Sequence, residues 1–513
     1  MRFPLPHFLL IAGVTQFATP ASEPRQPEQP NIVLVLIDDL GWQDISVPMW
    51  SERTPLNDRY HTPHLARLAE RGVVFTNAYA SSPVCTPTRV SIMTGQAPAR
   101  HRVSYWTLHA DRDTSAPHPT LSPPPWSLRG LQPGAATLPS LLRGAGYDTY
   151  HVGKAHFGSH DTPGADPTNL GFDVTVGGHA SGAPASYLGV HNFSASGRQN
   201  KPHLKSVWDV PGLAEYHGRD TYLTEALTER AEALITDSMD RDRPFFLWFA
   251  PYAVHTPIMA NTRHIQRYEG LDPREAAYAS MIETVDAALG RLLDATERAG
   301  MLEETVFIFW SDNGALSAHA RAGERHTHNA PLRSGKGSCY EGGIRVPGLI
   351  AWPGVTEHPS RLDAPVIAHD LMPTILSMAG VRPGLDNPDS VDLTPLIRSG
   401  ADGVDDRLLG WHMPHQWGAP GPGIEPFTAI RRGAHKLIYF HAGRRFELYN
   451  LNTDIAESHD LTHERPDLAR RLATAMDEYL RDSSAQMSID TVSGRPIESP
   501  TQALGAFLQQ TDP

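Results

Sequence analysis

The sequence predicts an α/β fold, with a mostly parallel central sheet flanked by helices and a smaller C-terminal α+β part carrying an antiparallel sheet. Three observations predict it. The runs Ile32–Ile37, Phe245–Ala250 and Thr305–Trp310 are apolar on both faces, as central parallel strands are. A long helical pattern over Pro273–Ala299 lies between the last two, and strands alternating with helices imply a parallel sheet wrapped by helices. After about Gly400 the texture changes to short runs separated by Gly or Asn turns, as in an antiparallel meander. With 513 residues, 40% of them hydrophobic, the chain is long enough for more than one unit and can fill a large core.

In chain order, residues 1–21 resemble a secretory leader: one Arg, an apolar stretch Phe8–Val14, then small residues with a cleavage point near Ala18–Ala21. Such a leader implies export, to the periplasm or the cell exterior. The Pro-rich stretch Ser22–Pro30 opens a main unit over 22–400. Ile32–Ile37 ends in Asp38-Asp39-Leu40-Gly41, which places acids at a strand's C-terminal end, where open α/β sheets bind ligands. Pro63–Arg71 is a short amphipathic helix with Leu65, Leu68 and Ala69 on one face. Asp148–Val152 is strand-like, and Thr305–Trp310 runs into Ser311-Asp312-Asn313-Gly314. The second unit, 401–490, holds the short runs Arg407–His412, Phe427–Arg432, His435–Phe440 and Phe446–Leu451, then a helix over Pro466–Arg481. Residues 491–513 read as a polar tail. Two stretches lack periodicity, Arg100–Pro133 and Gly177–Gly218, and loops of that length are often binding loops.

Composition excludes several classes. A formal charge of −13 argues against a general nucleic-acid binder, which needs a basic face. Past the leader, no apolar run approaches the ~18 residues of a membrane span. Two cysteines, Cys85 and Cys339, cannot form a disulfide framework. Lys336 is not a phosphate-loop lysine, because Ala330 stands where that motif needs its first Gly.

The sharpest local signal is Cys85-Thr86-Pro87-Thr88-Arg89, continuing to Thr94-Gly95. Elsewhere a lone Cys reads as a small buried hydrophobe, and Cys339 is expected to be one. Around Cys85 the string resembles the signature of the type I sulfatases: Cys, Pro two positions on, Arg four on, then a helix ending Thr-Gly. Thr88 departs from the commoner Ser but keeps the hydroxyl. The family's other elements follow in order as Asp38-Asp39, Gly153-Lys154-Ala155-His156, Val254-His255-Thr256-Pro257, Asp312-Asn313 and Gly335-Lys336-Gly337. Taken alone, an Asp-Asp or Asp-Asn-Gly pair is usually a turn. Together, at the ends of central strands, they offer hard oxygen ligands of the kind calcium takes. The resemblance spans about Asn31 to Val346.

The resemblance implies an alkaline-phosphatase-like fold and a sulfuric ester hydrolase. It implies that Cys85 is oxidised by a maturation enzyme to formylglycine, whose hydrate is the nucleophile. It implies one Ca²⁺ held by Asp38, Asp39, Asp312, Asn313 and the modified Cys85, and polarising the sulfate. Asp312 would take the nucleophile's proton, and Arg89 and Lys154 would hold charge beside it. His255 and Lys336 would protonate the departing alcohol, and His156 would deprotonate the second hydroxyl of the hydrate to expel sulfate. Two alternatives stay open: a phosphonate or phosphodiester hydrolase, which shares the fold, and an inactive relative that binds sulfated glycans. Similarity that includes Glu52–Asn57 is to bacterial sulfatases of polysaccharides, so the expected substrate is a sulfated carbohydrate attacked in an exo fashion. The expected pocket edge comprises His101 and Arg102, the loop at His179, and His412 beside Trp411.

Overall fold

In the computed structural model, which describes residues 1, 29–356, 358–382, 388–400 and 406–509, the run Asn31–Ile37 is a fully buried strand at the centre of an eight-stranded sheet. In spatial order the strands begin at residues 360, 73, 348, 305, 31, 245, 148 and 174. All run parallel except Gly348–Ala351, which is antiparallel to both neighbours. Alternation along the central strand explains why both its faces are apolar. Val33, Val35 and Ile37 enter one core with residues of the helices Leu223–Asp237 and Pro273–Arg298. Ile32, Leu34 and Leu36 enter another with residues of the helices Cys85–Thr94 and Leu371–Met378.

Register then decides where chemistry sits. Ile37 pairs with Ser311, Val35 with Phe249, and Gly153 with Ala250. The segments that follow these strands, carrying Asp38, Asp312, Lys154 and His255, therefore leave the sheet at the same carboxyl edge.

The second sheet is a four-stranded antiparallel meander, Leu408–Met413, Phe427–Arg432, His435–Phe440 and Arg445–Asn450, paired in sequence order. One face, with Trp411, Phe427 and Phe440, packs with Tyr79, Tyr105 and Ile344 of the main unit. The other is covered by Pro466–Asp482, whose Leu472, Met476 and Leu480 meet Leu437, Tyr439 and Leu448.

The expectation of a polar tail over 491–513 is corrected. Pro500–Phe507 is a helix that buries Ala503 and Leu504 in that same cluster, and Ile489–Asp490 pairs with Leu121–Ser122. The helix is only two turns long, too short for its apolar residues Ala503, Leu504, Ala506 and Phe507 to make a periodic signal in sequence. Of the expected leader, only residue 1 is among the described residues. No helix of the described residues is long and apolar enough to cross a membrane.

Candidate active site

Cys85 opens the helix Cys85–Thr94, which is buried throughout and ends at Gly95 in the left-handed conformation, φ 67°. The Thr88 hydroxyl accepts from the Ser82 amide at 3.0 Å, fixing the turn that delivers Cys85. The Cys85 Sγ lies 3.4 Å from Asp38 Oδ1 and 3.4 Å from Lys336 Nζ. Burial pushes this thiol well above its ordinary value despite Lys154 and Lys336, so an unmodified Cys85 is a protonated, weak nucleophile.

Ligand-bearing oxygens of Asp38, Asp39 and Asp312, together with the Cys85 sulfur, all lie within 4.8 Å of one another. Three cations face them. Lys154 Nζ donates to Asp38 Oδ2 at 2.7 Å, Lys336 Nζ to Asp39 Oδ2 at 2.8 Å, and Arg89 Nε to Asp312 Oδ2 at 2.8 Å. Desolvation drives the Asp38 carboxyl up to about 7. At Asp39 burial also pushes upward, but Lys336, His255 and Lys154 outweigh it and hold that carboxyl low. Asn313 Nδ2 donates to Asp39 Oδ1 at 2.7 Å, whereas its Oδ1 is buried with no partner. An orphaned amide oxygen beside three converging carboxylates is the donor set of a hard divalent cation. The residues present therefore fit one.

The two histidines flank this cluster. His156 Nε2 lies 2.9 Å from the Thr107 carbonyl and 3.0 Å from Thr86 Oγ1, and its buried Nδ1 has no partner. His255 Nδ1 lies 2.9 Å from the Thr256 carbonyl, which turns Nε2 toward Asp39 Oδ2 at 3.7 Å. Burial, and then Lys336, lower the His255 imidazolium to about 3 in the free site.

Above Cys85 a cavity of about 750 Å³ opens, a size typical of sites for small ligands. His156, His255 and Lys336 border it, and Trp106, Trp208, Trp417, Arg198 and His319 form much of its wall. Trp106 and Trp208 come from the two aperiodic stretches. The Trp417 and His319 segments were not anticipated, because nothing local in sequence marks them. Two glycines shape the floor. A Cβ on Gly337, φ 86°, would meet the Trp417 ring at 2.3 Å, and one on Gly182 would meet the His156 ring at 2.4 Å.

Four expected edge residues are elsewhere. His101 pairs with Ser91 Oγ and is pulled down to about 3 by burial, while Arg102 is exposed to solvent outside the cavity lining. His412 lies inside the C-terminal part, between Thr428 Oγ1 and the Gln486 carbonyl. His179 stands behind the wall, where its carbonyl accepts from the His156 amide at 3.1 Å. An imidazole in a loop or strand carries no sequence mark of which face it takes.

Comparison with known proteins bears on this geometry. The Sulfatase family model matches residues 30–381, and a model for the N-sulphoglucosamine sulphohydrolase C-terminal region matches 335–486. A sulfatase of Formosa agariphila is 28% identical, with 90% of each chain covered. The N-acetylgalactosamine-6-sulfatase of Homo sapiens is 30% identical, covering 82% of this chain and 80% of its own. Among solved structures, Ps i-CgsB in complex with k-i-k-neocarrahexaose superposes with a TM-score of 0.71 at 25% identity, covering 94% of this chain and 98% of its own. The Sulfatase match begins before Asp38 and ends beyond Lys336, so it contains every charged group of the cluster; the chain belongs to the sulfatase family, as a type I sulfatase of the alkaline-phosphatase-like superfamily.

Proposed function

We propose that this sulfuric ester hydrolase removes sulfate from sulfated carbohydrate, using formylglycine made from Cys85 by a maturation enzyme and one calcium ion. The observation that carries the reading is the position of Cys85, at the floor of the cavity between Asp38 and Lys336 and within reach of both. Asp38, Asp39, Asp312 and Asn313 would hold the calcium, with residue 85 beside it. Calcium supplies Lewis-acid polarisation of the sulfate. Formylglycine supplies, as its hydrate, one hydroxyl to attack sulfur and a second to release it.

The chain's own residues do the rest. Arg89 is anchored by Asp312 and by the Lys154 carbonyl, and its buried Nη2, 4.0 Å from Asp38 Oδ1, has no hydrogen-bond partner, a donor left for negative charge. Lys154 and Lys336 add positive charge on either side of Cys85, where charge develops in the transition state. Asp312 takes the proton of the attacking hydroxyl. His255 Nε2 and Lys336 Nζ serve the leaving oxygen, and a bound sulfate ester opposes Lys336 electrostatically and favours the imidazolium. The free Nδ1 of His156 accepts the proton that must leave before sulfate is expelled.

Three tryptophans on the wall support a sugar as the alcohol part, since aromatic faces give a sugar ring broad apolar contact. One relative is named N-acetylgalactosamine-6-sulfatase, and the solved structure named above is in complex with k-i-k-neocarrahexaose, which supports this choice. A cavity walled by four separate segments supports exo action on a terminal residue. Residues 22–400 would form the catalytic unit and 401–490 the second unit, and the leader-like segment 1–21 supports export to the periplasm or cell exterior. The test is mass spectrometry of the peptide spanning residue 85, paired with sulfate release from sulfated galactose and N-acetylgalactosamine. The aldehyde mass together with release is expected. Release by a Cys85→Ala variant would overturn the reading.

A further inference from the structure

The cavity carries a cation that the reaction does not use. Arg198 lies at the end of the short helix Ala195–Gln199 and lines the cavity on the wall built by residues 177–218, whereas Lys336 is committed to Asp39 and Cys85. Arg198 Nη1 donates to the Ala185 carbonyl at 3.1 Å, and among the described residues the guanidinium has no carboxylate partner. The same residue steadies a second lining residue, because the Ala185 amide donates to the Trp208 carbonyl at 2.7 Å. The guanidinium is thus anchored at one edge, and its other N–H donors have no protein acceptor among the described residues. No Asp or Glu is among the residues lining the cavity.

We propose that the cavity selects a sulfated sugar bearing a second anionic group, and that Arg198 receives that group. This rests on the sulfatase reading for the scissile sulfate, but it concerns a different wall and a different charge. A planar fork with free donors is suited to two oxygens of one anion, whether the carboxylate of a uronate or a second sulfate.

The test compares ligands that differ only in that charge: N-acetylgalactosamine 6-sulfate, its 4,6-disulfate, and a disaccharide joining the 6-sulfated sugar to a uronate, with the galactose counterparts of each. Affinity is measured calorimetrically with the Cys85→Ala protein, so that binding is read without turnover. At least one doubly anionic ligand should bind about tenfold or more tighter than its singly charged match. Arg198→Ala should erase that margin and Arg198→Lys restore part of it. Whichever doubly charged ligand loses more identifies the anion.

In the active enzyme, the ratio of kcat/KM between matched substrates should fall by a similar factor on Arg198→Ala. No margin in the parent protein, a margin kept by Arg198→Ala, or equal losses on singly and doubly charged ligands would each overturn the proposal. If the margin is present but no sulfate ester is turned over, the sulfatase reading fails and the anion site stands.

Discussion

Two buried charged clusters can be set side by side. In the C-terminal part, Lys436 Nζ donates to Glu341 Oε1 at 2.9 Å and to Glu457 Oε1 at 2.8 Å. Glu341 Oε2 accepts from Tyr79 at 2.6 Å, and Glu457 Oε2 accepts from the Glu341 amide at 2.6 Å. Every oxygen there is taken. Around Cys85 the charges are as deeply buried, yet Asn313 Oδ1, Arg89 Nη2 and His156 Nδ1 have no hydrogen-bond partner. Both clusters incur a desolvation cost, but one is closed and the other has buried polar atoms left without hydrogen-bond partners. An unsatisfied buried group costs free energy and survives where function requires it. A closed cluster holds the fold, and an open one waits for a ligand.

Variants can break that contrast, and the largest effect is expected at the open cluster. Cys85→Ala should lower sulfate release by about 10⁴-fold or more, in the manner of nucleophile deletions, while moving Tm by only a few degrees. At the closed cluster the pattern should reverse. Lys436→Met leaves the buried Glu457 carboxylate without its cation, while Glu341 keeps Arg345 at 3.4 Å, and should cost about 3–5 kcal/mol in denaturant unfolding. The molecules that remain folded should turn over at the parental rate, and a matching loss of kcat would mean the clusters are not separable.

His255→Ala sharpens the comparison within the site. A sugar sulfate has a poor leaving group and should lose about 10²–10⁴-fold, whereas an activated aryl sulfate needs little protonation and should lose far less. Equal losses would assign His255 a binding role. Chelation should lower activity and Tm together at the open cluster, the Tm by roughly several degrees, since a cation bound only by the folded state stabilises it. A Tm indifferent to chelator would remove the metal from the account.

The smallest effect concerns a third network. Burial pushes the Glu275 carboxyl upward, but Arg321 outweighs it, helped by Tyr60 and Arg59, and holds the group at about 2. A depressed carboxyl contributes stability that is fully present above its ordinary value of 4.5 and is lost as pH falls toward 2. The Tm of Glu275→Gln should therefore fall less steeply between pH 4.5 and 2 than that of the parent. Parallel curves would show that Glu275 carries no such linkage.

Much of the active site was legible in sequence for a physical reason. Carboxylates, a lysine and a histidine placed just after buried strands must emerge at one sheet edge once the strands pair in register, so Asp38, Asp312, Lys154 and His255 converge whatever the loops do. The strands Phe427–Arg432 and His435–Phe440 were equally readable, because turn residues bound them tightly. The cavity wall was not. Trp106, Arg198, His319 and Trp417 come from four remote segments without periodicity, and only tertiary packing brings them together. The two aperiodic stretches pointed to two of those walls without saying which residues would face inward, and His101, Arg102, His179 and His412 fall outside the cavity lining. The helix Pro500–Phe507 escaped notice because two turns are too short to display a helical period.

The contact between Gly337 and Trp417 bears on how such an enzyme can be re-engineered. Lys336 sits on a backbone whose next residue tolerates no side chain, because the indole from the C-terminal part occupies that space. The cavity wall at Trp417 and the backbone that carries Lys336 are thus keyed to each other like adjoining stones. The 414–424 segment cannot be exchanged as an independent cassette. A transplanted loop without a flat ring at that position would leave the lysine's peptide unsupported, and one with a bulkier group would lever it away from Cys85. Grafting new specificity onto this scaffold therefore means carrying residues 335–337 and the ring together, as one part.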